Sequence, residues 1–222
     1  MQSIKHLSLI LCCLFCITSC FEVTEEVSLR ADGSGSVTLT INMSESQQNL
    51  KNYLKVGEVD GRKIPSQAEI EAKFVEVQTR LRAMAGLSKV VLKRDFDRFI
   101  FIISADFSNV KVLNRAIVEV TKLLNEAPYS NFQPPNFTYT DGKLSRRVAY
   151  PHQPELYRQA SLSERYLMDT ARMISIFRLP RPIKRVSNDK ARVSPSKTSI
   201  LLQASLAELV KGEVVLDNAI SF

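Results

Sequence analysis

All four cysteines of this 222-residue chain fall within nine residues, "CCLFCITSC", at Cys12, Cys13, Cys16 and Cys20. Thiols this close raise the question of a metal or redox centre. A structural zinc site draws on two ligand pairs separated by a folded stretch. Here the cysteines share one apolar run, and no histidine follows at finger spacing. Other reactive groups are equally isolated. Asp95 and Asp97 sit two apart, on one face of an extended segment, where paired carboxylates could exchange protons. Their flanks read as two strands, which makes the pair a solvated turn. His152 lies in "YPHQPE" with no acid or nucleophile beside it. "SPSK", Ser194 to Lys197, matches S-x-x-K, but Pro195 opposes the helical turn that would bring lysine to serine, and the companion motifs are missing. "GSGS" from Gly33 lacks the lysine and the following helix of a phosphate loop. The expectation is no catalytic residue, no metal and no cofactor.

The flanks of the cysteine run explain it. Lys5 and His6 precede an apolar stretch from Leu7 to Phe15, broken only by Ser8. Small residues and Cys20 follow. A basic start, a short apolar core and a small-residue end make an export signal, and the core is too short to span a bilayer permanently. The ending "ITSC" resembles the lipobox of bacterial lipoproteins. That resemblance implies a diacylglyceryl group on the sulfur of Cys20, cleavage after Ser19, and acylation, palmitate included, of the new amino terminus. Residues 1–19 would be the signal peptide and 20–222 a single lipid-anchored domain. Two or three acyl chains hold a protein stably at a membrane, whereas one does so only marginally. The membrane, reached through the Cys20 anchor, is the first expected partner, and the cell envelope the expected location. Phe21 stands where an aspartate would favour inner-membrane retention, so the outer membrane is expected in a host that has one.

Charge is uneven along the chain. Residues 21–60 carry seven acids and three bases, whereas residues 143–197 carry thirteen bases and four acids. Within the second stretch "RLPRPIKR" gathers Arg178, Arg181, Lys184 and Arg185 around two prolines. A proline-broken strand leaves such side chains free to meet phosphate or carboxylate, which marks these four as candidate anion contacts. Anionic lipid or an envelope glycan would be the ligand class. Nucleic acid is excluded for an exported protein.

Elements that would hold these residues can be read from periodicity. Val27, Leu29 and Ala31, then Val37, Leu39 and Ile41, alternate with polar residues about Asp32-Gly33-Ser34-Gly35, which predicts a hairpin. Residues 66–85 read as a helix, with Ser66 and Glu69 as a capping box and Ile70, Phe74, Val77, Leu81 and Met84 as one stripe. Two strands follow around Val90–Leu92 and Phe99–Ile103. A second helix spans 110–126, and a hairpin turns at Asp141-Gly142. A short helix is capped by Ser161 and Glu164. A strand broken at Pro180 and Pro182 precedes strands at 198–204 and 214–222, with a helical turn at 206–211 between them. Residues 44–61 show a helical pattern around Leu50, Tyr53 and Leu54, broken by glycines. The sum is α+β: a mainly antiparallel sheet of about eight strands, two long and two short helices, the long ones on one face.

Lipobox, "DGSGSVTLTI" hairpin, helices between hairpins, and the ending "ISIFRLPRPIKRVS" then "TSILLQASLAELVKG" occur in an order that resembles the LppM-like group of bacterial lipoproteins. The resemblance implies a sheet flanked by helices and an envelope role with lipid or glycolipid contact; it brings no catalytic residues. Three roles stay open: a non-catalytic binding or structural module, a lipid- or glycan-contacting protein using the basic segment, and an enzyme whose site is scattered through the fold.

Overall fold

The computed structural model describes residues 21–59, 62–124, 136–148 and 152–222. Cys20 and the signal lie outside the described residues. A seven-stranded sheet forms the main layer, in the order β11-β12-β9-β1-β2-β6-β5. Its members are β1 (Glu22–Leu29), β2 (Gly35–Asn42), β5 (Leu87–Asp95), β6 (Ile100–Phe107), β9 (Arg172–Arg178), β11 (Arg192–Val193) and β12 (Ser199–Ser205). A smaller sheet runs β10-β13-β8-β7, built from β7 (Asn136–Thr140), β8 (Lys143–Arg147), β10 (Arg185–Val186) and β13 (Asn218–Ser221). A two-stranded ribbon joins β3 (Glu58–Val59) to β4 (Arg62–Lys63). The α+β expectation holds, with more and shorter strands, divided among three sheets. The main sheet is mixed, because β1 pairs parallel with β9 while its other pairs are antiparallel.

Period-two burial shows in β1 and β12, whereas β2, where the sequence also alternates, is half-buried throughout after Gly35. Glu25, Val27 and Leu29 point inward from β1, and Ile200, Leu202 and Ala204 from β12. Ala31, expected to continue the inward row, is exposed in the turn instead. The largest core lies between the two bigger sheets, around Val27, Phe107, Phe137, Leu144, Phe177, Ile200 and Ile220. Phe137 and Phe177 meet edge to face, centroids 6.1 Å apart, a favoured aromatic geometry.

Among the described residues, six α-helices accompany the sheets: α1 (Gln47–Val56), α2 (Gln67–Arg82), α3 (Val110–Leu124), α4 (Pro154–Gln159), α5 (Leu162–Thr170) and α6 (Leu206–Lys211). The long pair, α2 and α3, buries Val77, Leu81 and Ala116 against Val90 and Ala105. Register puts Ala105 opposite Val37 and Val37 opposite Val27. The helices therefore cover the same face as the small sheet, beside it. Three capping boxes form, at Ser66–Glu69, Ser161–Glu164 and Ser205–Glu208; sequence reading found the first two. At β7–β8 the turn has positive φ at both Asp141 (48°) and Gly142 (73°), the hairpin turn that follows strand twist.

Two expected strands are shorter than their apolar patterns. The broken strand ends at Arg178, and its continuation, β10, belongs to the other sheet. Pro180 and Pro182 lie between, and without N–H groups they cannot continue a ladder. The last strand begins at Asn218 rather than 214, because Val214 and Leu216 pack under α6 in a third small core.

Candidate functional site

The segment between the two prolines is tied down at both ends. Leu179 N–H donates to the Thr198 carbonyl (2.8 Å), and Ile183 N–H to the Lys197 carbonyl (2.7 Å). Ile183 and Leu179 are buried, so the exposed residues between and after them project outward. A groove of about 540 Å³ results, lined by Arg181, Pro182, Ile183, Lys184, Lys197 and Phe222. Its wall is aromatic and its charge cationic. Arg181 stacks its guanidinium 5.7 Å from the Phe222 ring centroid, and Tyr139 stacks on the same ring at 6.1 Å with planes 6° apart. Phe222 is itself fixed, its N–H donating to the Gly142 carbonyl (2.9 Å). Gly142 leaves room for Arg181, since a Cβ there would lie 2.9 Å from Arg181 Nη2. Among the described residues, Arg181, Lys184 and Lys197 have no acidic partner within ion-pair distance. Three cations with no Asp or Glu in ion-pair contact, around an aromatic wall, suit a phosphate, sulfate or carboxylate group.

The four candidate bases therefore divide. Arg181 and Lys184 share the groove. Arg178 lies on the face of the main sheet away from the cores, where its Nε donates to Glu26 Oε1 (2.7 Å); that bond raises its pKa further. Arg185 is exposed in β10, opposite Ser221, and does not line the groove. Lys197 was overlooked. It belongs to "SPSK", which forms the β11–β12 turn rather than a helix: Lys197 N–H donates to the Ser194 carbonyl (2.9 Å), and φ is 56° at Lys197. No pattern in the sequence marks this lysine, because its place beside Arg181 follows from the turn and from the Ile183 N–H bond to its carbonyl.

Two of the acids of residues 21–60 pair with bases of residues 143–197, Glu26 with Arg178 and Glu25 with Arg146. Glu25 of β1 and Arg146 of β8 meet between the sheets at 2.8 Å, their side chains 9% and 2% exposed. Ser175 Oγ donates to Glu25 Oε2 (3.2 Å), and Arg146 Nη1 to the Leu216 carbonyl (3.1 Å). Arg146 Nε is close to Glu25 without the alignment of a hydrogen bond, and the neighbouring Asn218 Nδ2 is buried without a partner. Glu25, Arg146, Ser175 and Asn218 thus make a buried polar cluster between the sheets. Neither groove described here is lined by it.

A second groove, about 560 Å³, is lined by Arg172, Lys190, Arg192, Gln203, Ser205, Glu208 and Glu213 among others. Its charges are mixed, Arg172, Lys190 and Arg192 against Glu208 and Glu213. Glu208 accepts the Ser205 N–H at 2.6 Å, which holds its carboxyl below the usual range. Asp95 is a turn group too: it accepts from Arg98 N–H (2.9 Å) and Nε (2.7 Å), which lowers its pKa. Asp97 takes no part in those bonds. Against the ring of His152 lies Gly212, where a Cβ would come 2.9 Å from Cγ. Among the described residues no three His, Cys, Asp or Glu gather to hold a metal. No helix there is long and apolar enough to cross a membrane.

No family model matches the chain, and no curated protein matches it. Among solved structures it is similar to the NMR structure of the folded domain of LppM from Mycobacterium tuberculosis, at 14% identity and a TM-score of 0.43, over 90% of this chain and 88% of that one. The functional reading rests on the site's own residues.

Proposed function

We propose that this protein is a lipid-anchored envelope lipoprotein whose domain is a non-catalytic binding module, with the Arg181–Lys184–Lys197 groove as its contact for an anionic group. The observation that carries the reading is the gathering of Arg181, Lys184 and Lys197, none in ion-pair contact with an Asp or Glu, against the stacked Phe222. Acylation of Cys20 fits "ITSC" and supplies the membrane partner.

Two measurements test the two halves separately. Cys20→Ser should abolish incorporation of labelled palmitate and release the protein from the membrane fraction; label that persists would overturn the anchor. For the groove, a chain beginning at Phe21 should co-sediment with vesicles containing anionic lipid at low salt, and that binding should weaken sharply as salt is raised, because longer-range attraction is screened beyond a Debye length of ~8 Å at physiological ionic strength. Arg181→Gln, Lys184→Gln and Lys197→Gln together should remove most of the binding. Arg178→Gln with Arg185→Gln should remove little. Exposed charges add little to stability, so the variants should remain folded. Equal sedimentation of all three proteins would sink the groove reading.

A further inference from the structure

Strand register places the lipid anchor. Cys20 lies two residues before Glu22 in the sequence, so the chain leads to it from the end of β1 where Glu22 pairs with Asn42 on one side and Arg172 on the other. The chain has no slack there, because the Phe21 carbonyl already accepts the Arg172 N–H (2.9 Å). Two helices begin or end at this same pole. α1 starts five residues after Asn42, at most ~18 Å along the chain. α5 ends at Thr170, two residues before Arg172.

Neither helix buries a single residue, which is unusual for helices that carry apolar side chains. In α1, Leu50 and Leu54 are half-buried while Tyr53 and Val56, one turn apart, are exposed, Val56 by 72%. Its charges are Lys51 and Lys55, with no acid within the helix. In the last turn of α5, Leu167 is exposed as well. An amphipathic helix with basic residues, an aromatic and exposed aliphatics is suited to the headgroup boundary of a bilayer.

We infer that α1, supported by the end of α5, is a membrane-contact platform that lies in the interface of the bilayer holding the Cys20 acyl chains. This rests on the anchor reading. Tyr53 and Val56 enter the acyl boundary, Lys51 and Lys55 meet headgroup phosphates, and β1 stands up from the membrane. The contact fixes the domain's orientation rather than its attachment.

The chain contains no tryptophan, so single substitutions report position. Lipidated full-length protein with Val56→Trp, reconstituted into vesicles, should show blue-shifted emission quenched by lipids brominated along the acyl chain. Ser196→Trp, in the β11–β12 turn, should be neither shifted nor quenched. Tyr53→Ser with Lys51→Gln and Lys55→Gln should reduce the Val56→Trp quenching severalfold while intact mass still shows acylated Cys20. Quenching of Val56→Trp no greater than of Ser196→Trp, in protein whose mass confirms the acyl groups, would overturn the platform and leave the anchor standing. A mass without acyl groups would overturn the anchor itself.

Discussion

Glu25 shows how a single residue ties the two halves of the chain together. It shares parity with Val27 and Leu29, so the alternation that marked those two as core also sent a carboxylate inward. A buried charge demands a partner, and Arg146, of one parity with Leu144 on β8, supplies it. Parity was readable in both segments; their pairing was not, since 121 positions separate residues 25 and 146 and nothing local joins them. Breaking a buried pair leaves an uncompensated charge, which costs ~3–5 kcal/mol, whereas replacing both members by apolar residues is often neutral or stabilising. Arg146→Met should therefore lower the urea midpoint steeply, and Glu25→Leu with Arg146→Met should restore most of it. A double variant as unstable as the single one would mean that packing, not charge, governs the site. Gly35 is a second sensitive residue: a Cβ there would sit 2.2 Å from the Ser28 carbonyl and 2.5 Å from the Phe107 ring. Overpacking of this kind costs ~1–3 kcal/mol, so Gly35→Ala should lower the melting temperature without changing any exposed group.

Among the elements, those with local signatures were legible and those made by distant pairing were not. Capping boxes, the Asp141-Gly142 turn and the stripe of α2 all form where spacing placed them. By contrast β10 and β11 are two residues each and exist only because β13 and β12 offer edges. The parallel β1–β9 pair brings residues 22 and 172 together, which no pattern within either strand announces. Of the candidate site, two of four bases were legible in composition, and Lys197 came in through a turn whose partner loop lies across the chain. The α2 cap carries a pH dependence. Glu69 is held to about 2 by its bond to Lys63, with the Ser66 N–H and hydroxyl adding to it. A carboxylate whose folded pKa is depressed stabilises above its ordinary value of 4.5, and that contribution is lost as pH falls to about 2. Amide resonances of Ser66 and Glu69 should shift across that window while the buried strands stay protected. A cap unchanged down to pH 2 would remove Glu69 from the role. Ser205→Ala removes the third box, partly buried at α6, and should lower stability by ~1 kcal/mol.

At the scale of the whole molecule, the main sheet has two ends that do different things. β1 and β9 run parallel from Glu22 and Arg172 to Leu29 and Arg178. Cys20, the proposed anchor, precedes one end of this pair in the sequence, and the Arg181 groove follows the other, so ~23 Å of strand separates the two ends. That distance is about three Debye lengths at physiological salt. A basic groove meant to strengthen attachment to its own bilayer would be better placed beside the anchor, where the α1 lysines stand. The groove's position instead suits an anionic group presented from the opposite side, such as a polymer of the envelope. Vesicles carrying the lipidated protein should then capture inorganic polyphosphate in a salt-dependent manner, and Arg181→Gln with Lys184→Gln and Lys197→Gln should abolish capture. Adding anionic lipid to the carrier bilayer should leave capture nearly unchanged, because screened headgroups cannot reach the groove. If anionic carrier lipid competes as strongly as free polyphosphate does, the domain lies on its membrane, and the groove is an attachment device rather than an outward one.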